Sequence, residues 1–193
     1  MAPLDPEAVQ VTLRVVDVLE RLDVPYHVGG SYASAVHGVP RQTHDVDIVV
    51  DLTPAAAKEI AIALDREFYV DEQSAARAVR DRSSFNLIHL ATGVKVDLFV
   101  KGASAFDLAE FERRVVVRMG EHSPRDVFVK SAEDTVLRKL LWFRLGREVS
   151  DRQWEDVRGI VRLQGDRLDR TYLTGWADRL GIRDLWDRVS TEG

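Results

Sequence analysis

Apolar residues recur at helical spacing from the start of the chain. Val11, Val15, Val18, Leu19 and Leu22 share one face, predicting an amphipathic helix that begins at Asp5-Pro6-Glu7 and ends before Pro25. Tyr26–Val28 predicts a short strand, broken by Gly29-Gly30, and Ser31 opens a helix of small residues that Gly38 stops. Asp45–Val50 alternates polar and apolar residues, as a strand does, and an Ala- and Ile-rich helix is expected from Pro54 to about Arg66. Phe85–Leu90 and Val94–Val100 flank Ala-Thr-Gly and predict a hairpin. A helix over 103–113 and short β-prone pieces at 115–117 and 127–129 follow. From Ser131 the pattern turns wholly helical: Val136, Leu137, Leu140, Leu141 and Leu145 mark one helix, and Trp154, Val157 and Val161 mark a second. Two shorter helices, at 171–180 and 182–189, end the chain. The expected fold is α/β (α+β): a mixed-sheet core over 1–130, then a C-terminal helical segment over 131–193.

Composition narrows the class. With 193 residues, 45% hydrophobic and 31% charged, the chain can bury a sizeable core and is neither disordered nor fibrous. No cysteine is present, which removes disulfides and thiolate metal sites and fits a reducing compartment. The opening MAPLDPEAVQ lacks a basic segment followed by an apolar one, and no apolar run approaches the roughly 20 residues that span a bilayer. A cytoplasmic setting without membrane contact is therefore expected. The net charge of −5 argues against a uniformly basic nucleic-acid binder. Arg outnumbers Lys 22 to five, however, and Arg is the residue best shaped to clamp phosphate. Three patches (Arg77, Arg80, Arg82; Arg113, Arg114, Arg118; Arg138, Lys139, Arg144, Arg147) would suit an RNA backbone if they met around a cleft. The four Trp residues, all after position 141, sit at helical spacing and are expected in the core.

The candidate chemistry lies in VGGSYASAVHGVPRQTHDVDIVVDL. Asp45 and Asp47, two apart on one strand, project from the same face. Two carboxylates about 4 Å apart repel by roughly 4 kcal/mol at an effective dielectric of 20, so a hard cation such as Mg²⁺ or Mn²⁺ between them relieves a real cost. A solvated edge pair is the plain alternative. Gly29, Gly30 and Ser31 join a strand to a helix, where free amides and the helix dipole offer an anion site. In VKVDLFV, Asp97 shares a face with Lys95 and Phe99 and needs a partner in so apolar a strand. Phosphate turn, D-x-D strand and later strand acid, in that order, form a specific combination. By contrast, Gly29-Gly30-Ser31-Tyr32-Ala33 imitates a hydrolase elbow without a supporting acid and His, the His spacing does not suit zinc, and no P-loop motif occurs.

This combination resembles the DNA polymerase beta-like nucleotidyltransferase superfamily. The Arg41-x-Thr43-x-Asp45-Val46-Asp47 form is similar to the abortive-infection (AbiEii/MenT-type) toxin nucleotidyltransferases. The resemblance implies that Asp45, Asp47 and Asp97 hold divalent metal, with Asp97 nearest the attacking oxygen, and that Gly29, Gly30 and Ser31 grip the phosphates of an NTP. Arg41 would add charge support, and Lys139 and Asp156 look like the later lysine and aspartate motifs. The implied reaction is NMP transfer, with pyrophosphate release, to an acceptor hydroxyl. The tRNA 3′ end is the implied acceptor and an antitoxin the implied partner. A small aminoglycoside-like molecule or a protein as acceptor, or a nucleotide-binding module without turnover, are the rivals. Thr43, two residues before Asp45, would share its face, and phosphorylation there would place about −1.5 to −2 of charge beside the acids.

Overall fold

A computed structural model describes residues 5–40, 45–120 and 124–192. Helix α1 (Pro6–Arg21) starts at an Asp5 side-chain cap and buries its valine face. Strand β1 (Tyr26–Val28) leads through Gly29 into α2 (Gly30–His37). Then come β2 (Asp45–Val50), α3 (Pro54–Leu64), β3 (Phe68–Val70) and α4 (Glu72–Asp81). The expected hairpin is β4 (Ser84–His89) and β5 (Lys95–Val100). It is followed by α5 (Ala105–Glu112), β6 (Val115–Met119) and β7 (Arg125–Val129). The helical remainder is α6 (Ala132–Leu145), α7 (Asp151–Gln164), α8 (Arg170–Leu180) and α9 (Arg183–Glu192). The α/β core with a helical C-terminus is as expected; β3 and α4 are additions to it. Among the described residues no helix is long and apolar enough to cross a membrane.

Seven strands form one mixed sheet in the order β3-β4-β5-β2-β1-β7-β6. The pairing that matters most is parallel: β2 lies beside β5 with Asp45 opposite Lys95, Val46 opposite Val96, and Asp47 opposite Asp97. Val46, Ile48 and Val50 face the core together with Val96, Leu98 and Val100. Each such side chain contributes about 1.5–3 kcal/mol on burial. Two carboxylates at the ~5 Å spacing of adjacent strands repel by roughly 3 kcal/mol at an effective dielectric of 20. The six apolar residues outweigh that repulsion, so the fold can hold the acids side by side on the opposite face.

Hydrophobic packing falls into two clusters. One joins α1 and α3 to the sheet; the other joins α6, α7, α8 and α9, with Phe106 of α5 packed into it. Ser131 starts α6 by accepting from the Asp134 amide at 3.1 Å, as its spacing predicted.

Candidate functional site

The turn after β1 is pressed against the D-x-D strand. The Gly29 amide donates to the Asp47 carbonyl at 2.8 Å. Gly30 has φ +53°, and a Cβ there would overlap the Asp47 carboxylate. Only glycine fits this position, because both the left-handed backbone and the close approach exclude a side chain. Helix α2 starts at this turn, so its first amides emerge beside Asp47.

Asp45, Asp47 and Asp97 share the open face of the sheet. Burial pushes the Asp47 carboxyl upward from its ordinary value, and the charges of Asp97 and Asp45 push it further; Lys130 and Lys139 oppose them. Asp97 finds its partner on its own strand, accepting from Lys95 Nζ at 2.8 Å. That pairing raises the Lys95 ammonium above its ordinary value. Among the described residues, no three of His, Cys, Asp and Glu are gathered so that they could hold one ion. The donors are the hard oxygens a divalent cation prefers, and their mutual repulsion is what such a cation relieves, so the residue types fit one. Asp97 would exchange Lys95 for it.

A cavity of about 710 Å³ opens between this sheet face and the helical segment. Gly29, Gly30, Ser31 and Asp47 line one side, and Lys139 and Asp156 line the other. The structure thus brings Lys139 and Asp156 to the same space as the turn, joined to each other at 2.8 Å. Asp45 and Asp97 stand beside the cavity on the same sheet face. Arg41, Thr43 and His44 lie outside the described residues.

The condition set for the basic patches is met in part: Arg82, Arg138 and Lys139 reach the cavity, whereas Arg113 pairs with Glu133 and Arg144 with Glu148 and Asp184. One expectation is corrected, because not all the tryptophans are core residues. Trp154 and Trp186 are buried, but Trp142 is 55% exposed on α6 and lines the cavity.

In overall shape, the chain is similar to the antibiotic-resistance factor ANT(2'')-Ia in solution. The TM-score is 0.60 at 12% identity, covering 95% of this chain and 98% of that one. The same factor in complex with adenylyl-2''-tobramycin gives a TM-score of 0.57 at 12% identity, over 89% and 97% of the two chains. A nucleotidyltransferase-like protein from Paracoccidioides brasiliensis gives 0.55 at 16% identity, over 98% and 95%. The chain has the nucleotidyltransferase fold. The family model for aminoglycoside-2''-adenylyltransferase matches residues 11–95 of this nucleotidyltransferase-fold chain. Comparison with curated proteins gives no match.

Sequence reasoning missed the base of the nucleotidyltransferase-fold cavity. Lys130, buried at the end of β7, meets Glu110 of α5 at 3.0 Å, and Arg138 of α6 meets the other Glu110 oxygen at 2.9 Å. Arg138 also binds Asp107 at 2.8 Å. Burial pulls the Lys130 ammonium below its ordinary value, although Glu110 opposes this. No local signal singled out Glu110: the stretch Phe106–Phe111 carries two acids, Asp107 and Glu110, and only the fold buries the second.

Proposed function

We propose that this chain is a metal-dependent nucleotidyltransferase that moves an NMP from an NTP to a hydroxyl of a small-molecule acceptor. The observation that carries this reading is Asp47: it stands opposite Asp97 across two parallel strands, with the Gly29-Gly30-Ser31 turn pressed against its carboxylate. Asp45, Asp47 and Asp97 would hold Mg²⁺ or Mn²⁺, which when bound supplies charge neutralisation of the triphosphate and activation of the acceptor oxygen. Ser31 and the first amides of α2 bind the phosphates at the positive end of the helix. Lys139, fixed by Asp156, supplies positive charge from the opposite wall. A new bond forms between the acceptor oxygen and the α-phosphorus as the bond to the bridging oxygen breaks. Pyrophosphate leaves, and the hydroxyl proton passes to the carboxylate of Asp97. Catalysis in this reading is mainly positioning and charge stabilisation.

A small acceptor has more support than an RNA 3′ end. The family-model match and the ANT(2'')-Ia structures favour it, and cations that an RNA backbone would need, such as Arg113 and Arg144, are engaged in ion pairs. An antitoxin partner and a Thr43 phosphoswitch rest on the toxin resemblance alone.

The test is Asp47→Asn. Pyrophosphate release from NTP with Mg²⁺ should fall by about a thousand-fold. Thermal stability without metal should hold or rise, because the variant removes a repelling charge. Turnover within about ten-fold of the unaltered chain would overturn the reading.

A further inference from the structure

Lys130 sits where the sheet and the glycine turn meet. Its amide donates to the Val28 carbonyl at 2.9 Å, just ahead of the turn, and its own carbonyl lies 2.7 Å from His37 Nε2 at the last residue of α2. The Lys130 backbone is therefore fixed at both ends of the unit that carries the phosphate turn. Its side chain runs along that turn: a Cβ added to Gly29 would lie 3.6 Å from Lys130 Cε and 3.8 Å from Nζ. Lys130 lines the cavity together with Gly29, Gly30, Ser31 and Asp47.

The surrounding charges say what such a residue can do. The Lys130 side chain is only 6% exposed, and a buried ammonium is unfavourable unless anions offset it. Among the described residues its carboxylate partner is Glu110, at 3.0 Å, and Glu110 gives its other oxygen to Arg138 at 2.9 Å. An ammonium has three protons to donate, so this shared carboxylate leaves it capacity for a further acceptor. A structural pair alone would not call for lysine here. Arg138 already meets Glu110, and buried ion pairs can often be replaced by apolar residues without loss. A divalent cation would offset Asp45, Asp47 and Asp97; the triphosphate then brings the negative charge that the turn still has to meet. Lys130 acts electrostatically on Asp47, as Lys139 does from the opposite wall, so both stand in range of an anion beside it.

Resting on the transfer reading above, we propose that Lys130 is a substrate-binding residue whose ammonium donates to a phosphate oxygen of the NTP at the Gly29-Gly30-Ser31 turn, while Glu110 holds it in place. The amides of α2 meet the triphosphate along the helix axis, Lys139 meets it from the helical wall, and Lys130 meets it from the sheet side.

Binding of the nucleotide tests this without turnover. The full chain with Mg²⁺ is titrated calorimetrically with α,β-methylene-ATP, and so are Lys130→Met, which keeps the length and removes the charge, and Lys130→Arg, which keeps the charge. Lys130→Met should lose about ten- to a hundred-fold in affinity, the range for a hydrogen bond to a charged group. Lys130→Arg should stay within about five-fold of the unaltered chain. Urea unfolding checks that each variant is folded; if Lys130→Met is not, Lys130→Gln takes its place with the same expectation. A loss under about three-fold in the neutral variant overturns the proposal. Equal losses in the neutral variant and Lys130→Arg overturn it too, because they mark a requirement for shape rather than charge. Failure of the transfer reading looks different: the unaltered chain would not bind α,β-methylene-ATP at all, and both readings would fall.

Discussion

At Gly30 the backbone is left-handed and the Asp47 carboxylate occupies the space a methyl group would need. Gly30→Ala must therefore move either the turn or Asp47. NTP-dependent pyrophosphate release should drop by about a hundred-fold or more, with a stability loss of only about 1–3 kcal/mol by chemical denaturation. His27 makes a different residue-level prediction. It is fully buried beside Phe111, neither ring nitrogen has a hydrogen-bond partner, and its nearest anion, Glu110, is 3.7 Å away. Burial, with the charges of Lys130, Arg114 and Arg138, holds its pKa well below the ordinary 6.5. Below pH 6.5 the unfolded chain then binds a proton that the folded chain refuses, so stability falls as pH drops, by up to about 1.4 kcal/mol per pH unit. Burial lowers His37 in the same direction. Urea unfolding between pH 7.5 and 5 should show this slope, and His27→Leu should reduce it. At this scale the sequence was informative where chemistry and spacing coincide, as in Asp45, Asp47 and the glycine turn. It was silent on Lys130 and Glu110, whose meeting depends on β7 and α5 coming together from 20 residues apart.

Among the elements, the hairpin β4–β5 and the long helices α1, α6 and α7 were legible because each buries a stripe of large apolar side chains with a clean period. Strand β3 has three residues, too few for a period to register. Helix α4 buries only Ala75 and Ala78, and alanine contrasts weakly with its charged neighbours. Helix α5 carries a less visible burden. Its Glu110 is the anion shared by Lys130, just after β7, and Arg138 of α6, so it fastens α5 to the end of β7 and to α6. Glu110→Gln would leave a buried ammonium without a counter-charge and should cost about 3–5 kcal/mol. Asp107→Asn, on the same helix but partly exposed, should cost about 1 kcal/mol, because Arg138 keeps Glu110. Parallel denaturation curves of the two variants check the ranking.

For the whole molecule, the sheet with α1 and α3 forms one hydrophobic cluster and α6 to α9 form the other, and the candidate site takes residues from both. The change of pattern at Ser131 showed that a helical segment follows the sheet. It did not show that Lys139 and Asp156 would face the glycine turn, since no local period encodes how α6 and α7 sit against α2. The strand order adds a consequence in time. Strand β1, near the start of the chain, is completed on one side by β7, and its turn is faced by Asp156 of α7. During synthesis, then, the D-x-D strand emerges early, but the space it faces can close only after more than a hundred further residues have followed. Until then the acids of β2 have no opposite wall, and the growing chain is a sheet fragment without a substrate pocket.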